Sequence, residues 1–189
     1  GSAFGPTSFM KGVDAATYAT PLAQIKEAGA LNTSFVDLLV GNCGGTIGET
    51  CAIALILGGI YLIVKKVISW RTPVVYIATV LVLTYIFKLS GIEAASARQP
   101  IQELFAGGLM LGAFFMATDY ASTPVTPKGK IIMGLGCGII TVLIRVFGGY
   151  PEGVSYSILL MNLAAPLIDR YTAPKKFGYV KPVKVKEVK

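Results

Sequence analysis

The sequence predicts an all-α membrane protein that crosses the bilayer several times. Of its 189 residues, 53% are hydrophobic and only 14% are charged, whereas soluble domains carry about 25% charged residues. Five apolar stretches follow one another after residue 49, and basic residues flank them. We therefore expect about five transmembrane helices, preceded by a short re-entrant helix that enters the membrane without crossing it.

The excess of positive charge is local. The net charge is +7, and lysines concentrate in the last twenty residues and between the apolar stretches. Basic proteins can bind nucleic acid, but basic residues beside apolar helices are explained by membrane topology, so we expect a lipid bilayer as partner and no nucleic acid. The chain has no histidine, and Cys43, Cys51 and Cys137 lack the spacing of a zinc site. We therefore predict neither a metal site nor a catalytic residue.

The chain divides into four parts by composition. Residues 1–2 (Gly-Ser) resemble the scar of an expression tag. Residues 3–34 are polar and form an extracytoplasmic segment, residues 35–170 form the membrane helical domain, and residues 171–189 form a basic cytoplasmic tail. The polar start suggests that the chain is cut from a longer protein.

The polar segment contains a predicted helix start at Thr20. Thr20 can cap the helix, Pro21 suits the first helical position, and Leu22 begins a run of good helix formers. A helix N-terminus presents free N–H groups and partial positive charge, which favour a phosphate. Thr20 therefore predicts either an ordinary cap or a hydroxyl placed where a phosphate is welcome.

A glycine-rich segment, residues 41–50, follows a short apolar helix at residues 31–41. Its glycines allow unusual backbone angles, and Thr46 and Glu49 have the spacing of a capping box. Irregular backbone at membrane depth occurs only beside protein or a watery cavity. The segment therefore predicts an ion or cofactor pathway beside Asn42 and Glu49, or alternatively a capped loop at the membrane surface.

The predicted spans are residues 50–64, 73–89, 103–117, 130–147 and 154–168. Several are shorter than the roughly 20 residues that a full crossing needs, so either polar flanks enter the interface or some helices are interrupted. Paired and spaced glycines in three of the spans predict close helix packing. The second span is expected to start at Pro73, a favourable first helical position.

Lysine and arginine bias predicts the orientation. The loops 65–72 and 118–130 and the tail share one side if there are five spans, and the positive-inside rule makes that side cytoplasmic. Residues 1–49, with Thr20, then lie outside. Among ionisable residues near the membrane, Asp119 is an ion-path candidate. Asp119 and Glu103 can equally cap helix ends or reach the interface.

Three stretches carry a family resemblance: residues 14–22, with Thr17-Tyr18-Ala19-Thr20-Pro21-Leu22; residues 41–50, ending Gly45-Thr46-Ile47-Gly48-Glu49-Thr50; and residues 115–126, with Met116-Ala117-Thr118-Asp119-Tyr120. They resemble the D subunit of the Rnf electron-transport complex and its relative, the B subunit of the sodium-pumping NADH:quinone reductase. The resemblance covers nearly the whole chain, as the C-terminal half of a longer protein.

The resemblance implies that Thr20 carries FMN through a phosphoester, attached by a separate flavin transferase. Thr17, Ala19, Pro21 and Leu22 complete the flavinylation motif. Thr17, where the family more often has Ser, is a rival acceptor, and Tyr18 replaces a commoner Gly. A second, non-covalent riboflavin is implied without assignable residues.

The implied fold is one half of a urea-transporter-like inverted repeat. The implied function is that of a membrane subunit, not catalytic alone, in a redox-driven, ion-translocating ferredoxin:NAD⁺ oxidoreductase complex in the inner (cytoplasmic) membrane, with the other Rnf subunits as partners. One alternative is a channel or transporter module for ions or small solutes without a redox role. Another is a structural subunit in which Thr20 can be replaced without loss of electron transfer.

Overall fold

The computed structural model describes residues 20–28, 34–41, 43, 48–49, 51–91 and 99–174. All regular structure in these ranges is helical, which confirms the predicted all-α class for this part of the chain. The elements are α1 Pro21–Ala28, α2 Phe35–Val40, α3 Ala52–Val64, α4 Arg71–Leu89, α5 Pro100–Phe105, α6 Leu109–Leu111 with a π-helical segment Gly112–Met116, α7 Pro127–Phe147 and α8 Val154–Thr172.

Two of these helices, α4 and α7, are long and apolar enough to cross a membrane. α3 is apolar but has only 13 residues, and α8 has 19 residues with Pro166 inside it. The short helix predicted before the glycine-rich segment is present as α2, which is too short to span. The count of five spans, the re-entrant path, the division into parts and the urea-transporter-like repeat stay predictions.

The prediction of one continuous helix over residues 103–117 is wrong. α5 ends at Phe105, Ala106 has extended backbone angles (φ −85°, ψ 127°), and Gly107 lies in the left-handed region at φ 72°. Helix resumes at Leu109. We name residues 106–108 the helix break. The start of the second span also differs, since α4 begins at Arg71 rather than at Pro73.

The helices run between two ends of the molecule. At one end, Lys26 of α1 donates a hydrogen bond to the carbonyl oxygen of Tyr150 (3.0 Å), in the loop between α7 and α8. At the other end, the Tyr120 hydroxyl donates to the carbonyl oxygen of Val67, which joins the loop after α3 to the loop before α7. We name these the Thr20 end and the Trp70 end.

Segments that hold or adjoin basic residues meet at the Trp70 end. Loops 65–70 and 117–126 meet there, and the last turn of α8 joins them through a hydrogen bond between the Thr126 and Thr172 hydroxyls (2.5 Å). These segments therefore share one side of the molecule. Which side of the membrane that is stays a prediction.

α4 and α7 lie side by side in the same direction and approach each other closely. A Cβ on Gly134 would lie 2.8 Å from the backbone oxygen of Thr72, and one on Gly138 would lie 2.6 Å from Cβ of Thr79. Nearer the Thr20 end, the rings of Phe87 and Phe147 meet edge to face, with their centroids 5.8 Å apart. The predicted role of these glycines in close helix packing is confirmed.

A triangle of buried hydroxyls joins α8 to this pair. The Tyr76 hydroxyl lies 2.7 Å from the Thr141 hydroxyl and 3.1 Å from the Ser157 hydroxyl, and Thr141 donates to Ser157 at 2.8 Å. All three residues are buried. Each hydroxyl has partners inside the protein, so the triangle joins three helices without leaving an unpaired hydroxyl among its members.

We predict that Gly134→Ala destabilises the protein by about 1–3 kcal/mol, the usual cost of forcing an extra methyl into a packed interface. Its methyl would meet the Thr72 backbone, which cannot rotate away. Gly136→Ala is the matched control, because the atoms nearest its Cβ are the flexible end of Met161. Thermal unfolding of the full-length protein in detergent measures both, and equal melting temperatures would contradict the prediction.

Candidate functional site

Thr20 is the N-cap of α1, as its sequence context predicts. Its side-chain oxygen Oγ1 accepts a hydrogen bond from the backbone N–H of Ala23 at 3.3 Å, and Pro21 opens the eight-residue helix. Thr20 is half-buried, whereas Pro21 and Leu22 are buried. The helix start is therefore anchored by its first two residues, and the hydroxyl stays near the surface.

Two contacts hold α1 in place. Leu22, only 1% exposed, packs with Leu38 of α2 and Ala106 of the helix break in a small apolar cluster. One turn further along, the ammonium group of Lys26 donates to the carbonyl oxygens of Gly148 and Tyr150. An apolar contact and charge-assisted hydrogen bonds thus fix the position of Thr20 relative to the loop before α8.

The helix break packs against α1. A Cβ on Gly107 would overlap Oε1 of Glu152 and would lie 2.6 Å from Cδ1 of Leu22. The positive φ and the close approach both require glycine here. Gly107 therefore lets a carboxylate from the α7–α8 loop and a side chain from α1 meet at the same point.

Two carboxylates converge on Gly108. Its backbone N–H donates to Oε1 of Glu152 at 3.0 Å, and Oε1 of Glu49 lies 2.7 Å from where a Cβ on Gly108 would stand. Burial and then the negative charge of Glu49 raise the pKa of Glu152, while the Gly108 hydrogen bond and Arg145 oppose that rise. The ionised form of Glu152 is therefore costly in the folded protein.

A buried cation and a third carboxylate lie next to this pair. Arg145 and Glu103 are each 1% exposed, and Nη1 of Arg145 donates to the backbone oxygen of Glu103 at 3.0 Å. We name Glu49, Glu103, Arg145 and Glu152 the buried charge cluster, although Glu49 and Glu152 are half-buried. Ionisable groups at such depth are expensive and, in membrane proteins, tend to mark functional paths.

The residues at Thr20 fit a phosphoester-linked cofactor. The hydroxyl is a half-buried oxygen at the start of a complete helix, where partial positive charge favours a phosphate. An esterified oxygen keeps a lone pair for the N–H of Ala23, so the cap and the ester are compatible. Thr20, with Pro21 and Leu22 setting its position, would hold such a group.

The predicted ion-path residues are not brought together. Glu49 precedes α3, in the buried charge cluster, whereas Asp119 is exposed at the Trp70 end, where Oδ2 accepts from the Ser122 hydroxyl at 3.2 Å. The 13 residues of α3 between these ends correspond to about 20 Å. Asn42, Thr17 and Ala19 lie outside the described residues.

The buried charge cluster is not predicted by the sequence pattern. The pattern suggests a helix end for Arg145 and a cap or interfacial position for Glu103, yet both side chains are buried. An arginine within an otherwise apolar helix is the available signal. Glu152 has none, because the surrounding residues Gly148, Gly149, Pro151 and Gly153 indicate only a turn.

We predict that Glu152→Gln stabilises the protein at high pH and leaves it unchanged at low pH. A carboxyl group whose folded-state pKa is raised binds its proton more tightly when folded, so wild-type stability falls as pH rises through that pKa. Glutamine keeps an oxygen for the Gly108 N–H and cannot ionise. Melting temperatures of both proteins across the pH range test this, and parallel curves would contradict it.

Comparisons with known proteins give one family and several named relatives. The model of the NQR2, RnfD, RnfE family matches residues 3–178. The D subunit of the Na(+)-translocating ferredoxin:NAD(+) oxidoreductase complex of Acetobacterium woodii is 50% identical over 179 residues, which are 93% of this chain and 53% of that protein.

Two further relatives have similar names. The D subunit of the proton-translocating ferredoxin:NAD(+) oxidoreductase complex of Clostridium ljungdahlii is 50% identical over 88% of this chain and 53% of its own length. The D subunit of the ion-translocating oxidoreductase complex of Pseudomonas paraeruginosa is 39% identical over 89% of this chain and 49% of its own. The chain spans about half the length of these relatives.

Proposed function

The chain belongs to the NQR2, RnfD, RnfE family, and from this membership we propose that it acts as a membrane subunit of an ion-translocating ferredoxin:NAD⁺ oxidoreductase complex. Its relatives are named as D subunits of such complexes, and two of its helices are long and apolar enough to cross a membrane. The other subunits of the complex are the proposed partners. The proposed location is the inner membrane, with Thr20 outside and the tail in the cytoplasm.

The proposed role of this chain is to carry FMN on Thr20. The observation that carries the proposal is the geometry of α1: a half-buried Thr20 hydroxyl at its N-terminus, and a body held by Leu22 and Lys26. A cofactor attached to a mobile segment would occupy many positions, whereas a cofactor attached to an anchored helix is held at one position. The flavin supplies the electron chemistry, and the protein supplies its position.

Attachment is a phosphoryl transfer without a redox step. The Thr20 oxygen forms a bond to the FAD phosphorus nearest riboflavin, and the bond between the two phosphates breaks. AMP leaves, the hydroxyl proton passes to solvent, and a separate flavin transferase catalyses the step. Thr17 has the same hydroxyl three residues upstream, so it is the competing acceptor.

The helix break supports an ion path near the same end. Interrupted helices with buried charges are typical of ion sites in transporters, and Glu49 lies beside Gly108 and Glu152. We assign Glu49 to the path at the Thr20 end and Asp119 to its opening at the Trp70 end. Asn42 belongs to the same proposal from its sequence position, and a non-covalent riboflavin is proposed as a second cofactor without assigned residues.

We predict that Thr20→Ala abolishes the covalent flavin, that Thr20→Ser retains it, and that Thr17→Ala leaves it unchanged, because the hydroxyl at position 20 stands at the helix N-terminus. The full-length protein, co-expressed with a flavin transferase, is run on a denaturing gel and scanned for flavin fluorescence. Loss with Thr17→Ala would move the attachment site to Thr17. A dark wild type with an active transferase would overturn the flavin role and favour the channel alternative.

We predict that Glu49→Gln and Asp119→Asn each lower the number of ions moved per electron, because each removes a charge from the proposed path and keeps its hydrogen-bonding shape. The complex is reconstituted in vesicles, and ion uptake is measured against electron transfer in the same sample. An unchanged ratio for a variant would remove that residue from the path.

A further inference from the structure

A cavity of about 460 Å³ opens at the Trp70 end, between the loop after α3 and the loop before α7. It lies at the opposite end of α3 from Thr20 and the buried charge cluster. The hydrogen bond from the Tyr120 hydroxyl to the carbonyl oxygen of Val67 ties its two walls together. The cavity is thus a formed feature of the fold, and neither the flavin attachment nor Glu49 uses it.

The charged residues that line the cavity are all cations: Lys66, Arg71 and Lys130. Among the residues that the structure describes, none accepts a hydrogen bond from these three side chains or forms an ion pair with them. The guanidinium group of Arg71 lies over the Trp70 ring, 5.9 Å from its centre. Three positive charges that share one concave site attract an anion.

Backbone geometry adds to this preference. α4 and α7 both begin at this end, at Arg71 and Pro127, so both present the positive end of the helix dipole to it. Lys66 has a left-handed backbone at φ 58° because it ends α3: its N–H donates to the carbonyl oxygen of Ile63, and the N–H of Val67 donates to that of Leu62, as is usual at a helix C-terminus.

The rim of the cavity is suited to a bilayer interface. Trp70 and Tyr120 line it and are 54% and 76% exposed, and the exposed apolar side chains of Val67 and Val125 lie beside them. Aromatic rings of this kind collect at the level of lipid headgroups. The two helices long enough to cross a membrane start at the same level.

We propose that this cavity binds the phosphate group of an anionic phospholipid, held by Lys66, Arg71 and Lys130, with Trp70 and Tyr120 against the glycerol region. The proposal rests on the proposed membrane location but not on the flavin. Basic pockets between helices on the cytoplasmic side are known to suit such headgroups.

The test is photo-crosslinking in the intact complex. The full-length protein, within its complex, is placed in phosphatidylcholine nanodiscs that contain a small fraction of phosphatidylglycerol with a photoactivatable group near the phosphate. Mass spectrometry then measures labelling of the peptides that cover residues 63–72 and 117–130. We expect labelling of both peptides, displaced by unlabelled phosphatidylglycerol and unaffected by millimolar inorganic phosphate.

Paired variants separate the cavity from general surface charge. Arg71→Gln with Lys130→Gln should lower the labelling about twenty-fivefold, at about fivefold for each charge lost. Lys65→Gln with Lys128→Gln is the matched control, since it removes two charges from the same segments, and neither residue lines the cavity. The control should lower the labelling less than the cavity variant does, because neither side chain lines the cavity.

Three results would overturn the proposal. Equal losses in the two double variants would show a general effect of surface charge. Displacement by inorganic phosphate would assign the cavity to a soluble phosphate compound. Labelling confined to other peptides would exclude the site, and this measurement on the wild type decides the question even if the cavity variant fails to fold. The flavin role is tested separately, by flavin fluorescence on a denaturing gel. None of these three results affects that test.

Discussion

The hydrogen bond from the Gly108 N–H to Glu152 is the contact on which the Thr20 end depends. Where a helix is interrupted, its backbone groups lose their partners, and in a membrane subunit each unpaired group costs several kcal/mol. Oε1 of Glu152, in the loop between α7 and α8, accepts the hydrogen bond of the Gly108 N–H. Gly107 makes this possible, because any larger residue would occupy the space of the carboxylate. The loop before α8 is thereby held against the helix break.

That loop in turn positions α1. The carbonyl oxygens of Gly148 and Tyr150 accept from Lys26, and Leu22 fills the remaining space beside Gly107. The start of α1, and with it Thr20, is therefore placed by the same break that gathers Glu49 and Glu152. The flavin proposed on Thr20 would therefore stand at the same end of the molecule as Glu49 and Glu152.

The two ends of the molecule have opposite character. Carboxylates converge on the Thr20 end, and cations line the cavity at the Trp70 end. α7 connects them, with Arg145 in the buried charge cluster and Lys130 at the cavity. It contacts α4 through glycines, and the hydroxyl triangle that includes Tyr76 joins both helices to α8.

The local features of this protein were decided by the sequence alone. Apolar runs predicted the helical class, and Thr20-Pro21 predicted the start of α1, because capping depends on neighbouring residues only. Spaced glycines predicted the close contact of α7, and the family motifs identified the family. Each of these signals lies within one short stretch of chain.

Only the tertiary structure decided where distant residues meet. The break at residues 106–108 was missed because an apolar run with glycines suits a continuous span equally well, and the partners that stabilise the interruption, Glu152 and Leu22, lie far away in sequence. The burial of Arg145 and the cationic cavity depend in the same way on which loops pack together. Periodicity and spacing carry no information on such contacts, because these are set by packing between segments that the chain connects only through long intervening helices.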